Sequence, residues 1–141
     1  MLAFALDLDA LAWVCRRQAV RLLVVFGSAV HGLRRPESDL DLAVWLEAVT
    51  IPLQALTGLD MALRPLFPGE RLDVALLNRA SSLLQFQVAQ YGSALFEATP
   101  GVFQAFQVLA SKRHADTAHL RQWDRVCVDR FLRRQDRKSV V

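Results

Sequence analysis

The 141-residue sequence predicts a domain of the α/β class in its α+β form, a mixed β-sheet of three to four strands flanked by helices, with a long C-terminal helical region. Three observations carry this reading. β-Prone runs at Leu22–Phe26, Asp39–Leu46 and Leu72–Leu77 are short enough to be strands, the stretches between them repeat apolar residues at helical spacing, and neither Gly nor Pro interrupts the chain from Val102 to about Arg134. With 53% hydrophobic residues the chain can bury one core without disulfides or a structural metal. Residues 1–98 are expected to form that core, and residues 99–141 a helical extension packed on the same domain. No internal repeat or low-complexity linker marks a second domain.

The first helix is expected over Phe4–Arg17, where Phe4, Leu8, Leu11, Trp13, Val14 and Cys15 recur at mostly helical spacing. Asp7 and Asp9 come early and Arg16 and Arg17 late, the order the helix dipole favours. Leu22-Leu23-Val24-Val25-Phe26, ended by Gly27, reads as a strand covered on both faces. In the next strand, period-two alternation sends Asp39, Asp41 and Ala43 to one face and Leu40, Leu42 and Val44 to the other. Thr50 can cap a helix with Pro52 in its first turn, carrying Leu53, Leu56, Leu59 and Leu63 until Pro65 and the Pro68-Gly69 turn. In the third strand Asp73 and Ala75 share a face opposite Leu72, Val74 and Leu76. Ser81 or Ser82 opens a helix that stops at Gly92, and Ala94–Phe96 adds a short edge strand. The remainder is one long helix, or two divided near His114–Thr117.

Composition narrows the function classes. The apolar runs fall well short of the roughly 20 residues that a membrane helix requires. The N-terminus has no basic segment and meets two acids early, so a cytoplasmic protein is expected rather than a secreted one. Cys15 and Cys127 each sit in an apolar helical pattern and read as reduced core thiols. The net charge of +3 is uneven: residues 112–138 hold nine Lys/Arg against four Asp. Arg130, Arg133, Arg134, Arg137 and Lys138 are either a solvated helix end or a contact surface. Aromatic residues do not interleave with these cations as a single-strand platform requires, so a protein partner is expected ahead of nucleic acid. His114 and His119, five apart, lack the spacing of a helical metal pair.

The chemistry concentrates in Phe26-Gly27-Ser28, then Asp39-Leu40-Asp41, then Asp73. Gly27 permits a tight turn and close approach of a ligand. Ser28 stands where a helix would begin, so amides, a hydroxyl and a helix dipole can converge on a triphosphate. Asp39 and Asp41 point the same way from one strand, close enough to need a hard cation between them, and magnesium suits such a pair. If the third strand lies beside the second, Asp73 faces the same cavity and can act as a third ligand and general base. His31 is either a phosphate contact or an ordinary helix histidine, and Arg34 and Arg35 either neutralise phosphate charge or are solvated.

The stretch Val24-Val25-Phe26-Gly27-Ser28-Ala29-Val30-His31-Gly32, continued by Pro36-Glu37-Ser38-Asp39-Leu40-Asp41-Leu42-Ala43-Val44, closely resembles the signature of the DNA polymerase beta-like nucleotidyltransferase superfamily. The short length and Arg71-Leu72-Asp73-Val74-Ala75-Leu76-Leu77-Asn78 resemble its minimal branch, the MNT or MntA-type antitoxins. The resemblance implies the polymerase beta-like fold, with Gly27 and Ser28 on the triphosphate of ATP, Asp39 and Asp41 on two Mg2+ ions, and Asp73 as third ligand and base. It further implies transfer of AMP to a hydroxyl, a tyrosine, on a HEPN-type toxin. The chain would then be the antitoxin of a toxin–antitoxin pair, in a hetero-oligomer with the toxin or a homo-oligomer. Two departures stand out: Val30 and His31 replace the Ala and basic residue that many relatives carry before the glycine. Two other readings remain open, a non-catalytic module that silences its partner by occlusion, and nucleotidyl transfer to a small molecule such as an aminoglycoside.

Overall fold

The computed structural model describes residues 6–27 and 38–139. Its elements run α1 (Leu8–Arg17), β1 (Val20–Phe26), β2 (Leu40–Leu46), α2 (Pro52–Leu63), β3 (Leu72–Leu76), α3 (Ser82–Tyr91), β4 (Ser93–Glu97), α4 (Val102–Asp116) and α5 (Ala118–Ser139). The four strands form one mixed sheet in the order β3-β2-β1-β4: β1 is antiparallel to both its neighbours, and β3 runs parallel to β2. This is the mixed α+β architecture the patterning predicts.

The central strands explain their own sequence. Leu22, Leu23, Val24 and Val25 are all fully buried, because helices cover both faces of β1. Leu23 and Val25 join Leu40, Leu42, Val44, Leu59 and Leu63 beneath α1 and α2. Leu22 and Val24 join Ala43, Val88, Phe106 and Ala110 beneath α3 and α4. A continuous apolar run is what a strand between two helical layers requires. The side chain of Gln85, only 3% exposed, is satisfied within the second core, its Nε2 donating to the Leu77 carbonyl and its Oε1 accepting from Arg113.

Several boundaries differ from expectation for local reasons. α1 starts at Leu8, because Asp7 Oδ1 accepts from the amides of Asp9 and Ala10 at 3.1 Å and so caps the helix. Phe4 lies outside the described residues. Leu11 and Cys15 supply the buried stripe of α1, whereas Leu8 and Trp13 face outward and the Arg17 guanidinium covers the Trp13 ring at 4.8 Å. α2 does not use Thr50: Ile51 occupies the cap position without a side-chain bond, and Pro52 opens the helix where a missing N–H costs nothing. Ser81 caps α3 by accepting from the Leu84 amide. Gly92 closes that helix because a Cβ there would collide with Val24 and with the Val88 carbonyl. The C-terminal helical region divides at Thr117, whose hydroxyl donates to the Arg113 carbonyl at 3.1 Å. His114, assigned no chemistry from its spacing, stacks on Phe86 at a centroid distance of 3.9 Å.

One expectation is corrected outright. Cys15 is buried, and its burial pushes the thiol up to about 12, but Cys127 on α5 is exposed and not a core thiol. A helical stripe looks the same in sequence whether or not a neighbouring element covers it. Under native conditions at neutral to mildly alkaline pH, a maleimide is expected to label one thiol per chain, at Cys127, with Cys15 reacting only after denaturation. Peptide mapping checks this, and rapid native labelling of Cys15 would contradict the packing of α1.

Candidate active site

The acids lie at one end of the sheet, on the face that α3 and α4 cover farther along. Alternation along β2 puts Asp41 on the same face as Ala43 and Trp45, and alternation along β3 puts Asp73 with Ala75. The parallel ladder then pairs Asp41 directly with Asp73, while antiparallel pairing places Phe26 of β1 opposite Asp41 on its other side. Asp41 is half-buried between an aromatic and a second acid, and Asp73, on the edge strand, is exposed.

That position raises the Asp41 pKa above its ordinary value. Burial is the largest cause, followed by the negative charges of Asp73 and then Asp39, and a hydrogen bond from the protonated Asp41 carboxyl to Asp73 adds to it. A carboxylate whose pKa is raised by burial and by neighbouring negative charge belongs to a donor set suited to a hard cation. Asp39 stands apart from that pair, because its Oδ1 lies 3.3 Å from Arg71 Nε in a largely exposed ion pair. Among the described residues, no three His, Cys, Asp or Glu side chains are gathered closely enough to hold a metal as they stand. Asp39 would have to leave Arg71 to complete a three-carboxylate set with Asp41 and Asp73.

Gly27 ends β1 with φ +75°, a left-handed conformation that side chains rarely adopt. A Cβ there would also overlap Asp41 Oδ2 and sit 3.2 Å from its Cγ. The glycine is required twice, once by the turn and once by the carboxylate that the turn passes. Ser28, His31, Arg34 and Arg35 lie outside the described residues, so the structure bears on the triphosphate segment only through Gly27.

A cleft of about 500 Å³ opens beside Asp39, lined by Arg64, Phe67, Gly69, Glu70 and Arg71. A second cavity of about 340 Å³ lies between Arg21, Trp45, Phe106 and the start of α4. It is at the opposite end of β1 and β2 from the carboxylates. The sequence reading did not single out Arg71 as the partner of Asp39. The signal was its position two residues before Asp73, which on a strand approaching β2 brings a cation beside the acids.

Comparison with known proteins bears on the family and the fold. The family model described as polymerase beta, nucleotidyltransferase, matches residues 11–100. No curated protein matches. Among solved structures, a mutant MntA–HpeT toxin–antitoxin complex contains a chain that superimposes with a TM-score of 0.70 at 22% identity, covering 90% of this chain and 99% of that one. A toxin–antitoxin complex with AMP-PNP gives a TM-score of 0.66 at 23% identity, with 90% and 99% coverage. A complex of tri-AMPylated Shewanella oneidensis HEPN toxin with MNT antitoxin gives 0.60 at 22%, with 89% and 95% coverage. At these identities the likeness is one of fold. The family match runs from within α1 through β4 and contains Gly27, Asp39, Asp41 and Asp73, and on that ground the chain belongs to the polymerase beta nucleotidyltransferase family.

Proposed function

We propose that this protein is a cytoplasmic antitoxin that transfers AMP from ATP to a tyrosine hydroxyl of a HEPN-type toxin, with pyrophosphate leaving. The observation that carries the reading is the side-by-side register of Asp41 and Asp73 at the sheet end, next to the glycine that closes β1. The solved toxin–antitoxin complexes of similar fold, one with AMP-PNP and one with an AMPylated toxin, support the donor and the partner.

In this reading Gly27 and Ser28 would hold the triphosphate, and Asp39, Asp41 and Asp73 would hold two magnesium ions. Bound there, the ions would lower the pKa of the attacking hydroxyl and neutralise charge on the leaving pyrophosphate. Asp73, exposed on the edge strand, accepts the hydroxyl proton as the new oxygen–phosphorus bond forms and the bond to pyrophosphate breaks. Arg71 releases Asp39 to the ligand set. Residues 1–98 carry the chemistry. Residues 99–141 extend the domain toward the partner, with Arg130, Arg133 and Arg134 exposed beside the apolar Val126, Phe131 and Leu132 on α5. This mixed basic and apolar surface suits a protein more than a nucleic acid.

The test compares the wild type with the double variant Asp39→Ala, Asp41→Ala, each mixed with the toxin encoded beside it and Mg-ATP. The wild type is expected to add whole adenylyl units to the toxin, read by intact mass, and to silence it. The variant should bind the toxin but leave its mass and its activity unchanged. Silencing by the variant without any mass change would establish occlusion instead.

A further inference from the structure

The catalytic geometry depends on how β3 is set against β2, and β3 is an edge strand only five residues long. Its backbone ladder to β2 runs from Leu40↔Leu72 to Val44↔Leu76 and then stops, because the chain turns at Leu77 into a short 3-10 helix over Leu77–Arg79. Two positions on in the same register, past Trp45 and Leu77, Leu46 would pair with Asn78. That pair is made, but by a side chain: Asn78 Oδ1 accepts from the Leu46 amide and Asn78 Nδ2 donates to the Leu46 carbonyl, both at 2.9 Å. The separation of 32 residues is the one that relates every pair in the ladder.

A primary amide offers the donor and acceptor of a peptide group, so Asn78 continues the sheet by one pair after the backbone has left it. The turn that carries it is held from the other side as well. Gln85 Nε2 donates to the Leu77 carbonyl at 2.8 Å, and Arg113 donates in turn to Gln85 Oε1 at 3.1 Å, so α3 and α4 fix the turn against the core. A slip of one residue between β2 and β3 would send Asp73 to the opposite face from Asp41. Apolar residues alone guard weakly against such a slip, because Leu72, Val74 and Ala75 are only partly buried.

We infer that Asn78 is a positioning residue for nucleotidyl transfer: its side-chain amide locks the β2–β3 register that holds Asp73 against Asp41. The inference rests on the function proposed above for its effect on activity, but not for its effect on register. It is distinct from a general contribution to stability, because the lock acts at the far end of the ladder from the acids.

Amide hydrogen exchange on the protein without ligands tests the register directly. The Leu40 amide donates to the Arg71 carbonyl at 2.7 Å, at the acidic end of the ladder. In Asn78→Ala, and in the isosteric Asn78→Asp, which cannot donate to the Leu46 carbonyl, exchange at Leu40 is expected to rise about tenfold, as a local opening would allow. The control is Leu11→Ala, a core variant of α1 with an equal or lower Tm, in which Leu40 should exchange more slowly than in the Asn78 variants. For AMP transfer, kcat is expected to fall about 30-fold in both Asn78 variants with KM for ATP within about twofold, since Gly27 and the end of β1 are untouched. Faster exchange confined to Leu46, or Leu40 exchange no faster than in Leu11→Ala, would overturn the lock. Asn78 variants that exchange as described, beside a wild type that transfers no nucleotide, would count against the proposed function and leave the register claim standing.

Discussion

Replacing Asp41 by asparagine is expected to abolish nucleotidyl transfer while raising the melting temperature at neutral pH. Asparagine keeps the shape of the side chain but supplies no charge to a cation. Loss of one of the three carboxylates from such a site should cost at least about 10³ in rate, about 4 kcal/mol of barrier. Stability should move the other way. Asp41 has its pKa raised by burial and by the neighbouring charges of Asp73 and Asp39, so the folded protein holds this proton more tightly than the unfolded chain does. Below the ordinary aspartate value of 3.8 the carboxyl is protonated in both states and costs nothing. As the pH climbs through the raised value, the folded carboxyl ionises against its neighbours and stability declines. The neutral amide removes that penalty. Thermal melts at pH 7 in a chelator should therefore rank Asp41→Asn at or above the wild type, and added Mg2+ should raise the wild-type Tm but not the variant's. A variant that melts well below the wild type at pH 7 would show that the carboxylate is stabilised by its surroundings, contrary to this account.

The second large effect is expected at Gly27. Alanine at φ +75° costs about 1–2 kcal/mol of backbone energy, and its Cβ also enters the space of the Asp41 carboxylate. Either the turn at Gly27 opens, displacing the segment proposed to hold the triphosphate, or the carboxylate swings off its position beside Asp73. Both outcomes damage the same site, so transfer should fall by about 10² or more, the scale of a displacement near 1 Å among reacting groups. Gly69→Ala separates the two causes. Gly69 has φ +79°, but a Cβ there meets nothing within 4 Å. That variant should lose about 1 kcal/mol of stability and keep full activity per folded molecule. Equal loss of activity in the two variants would mean that backbone strain, and not contact with Asp41, makes Gly27 indispensable.

Much of the sheet was legible because period-two alternation records which face each residue takes. The alternation of Asp39–Leu46 and of Leu72–Leu77 was enough to put Asp41 and Asp73 on faces that coincide once the strands are neighbours. Adjacency itself was not in the sequence, since it depends on a parallel crossover through α2 that no local pattern encodes. Gly27 was legible as a turn residue, but its contact with Asp41 joins positions on different strands and has no local trace. Caps were read less well. Apolar Phe4 extends the helical periodicity beyond Asp7 and so hides the cap, and Thr50 has the chemistry of a cap where Pro52 sets the start of α2. Cys127 was placed in a core because a helix stripe carries no record of whether anything covers it. Asn78 stands just past the alternating run Leu72–Leu77, and nothing local marks it, since its role is to imitate a backbone pair 32 residues away.

The most direct test of the central claim, that these carboxylates support nucleotidyl transfer to a partner protein, is incubation of the wild type and its co-encoded partner with each α-labelled nucleoside triphosphate, with magnesium or with a chelator. Label is expected on the partner from ATP alone, only when magnesium is present, and lost in Asp39→Ala, Asp41→Ala. No label from any triphosphate, with the partner nonetheless silenced, would mean that the acids serve binding and that the chain neutralises its partner without chemistry.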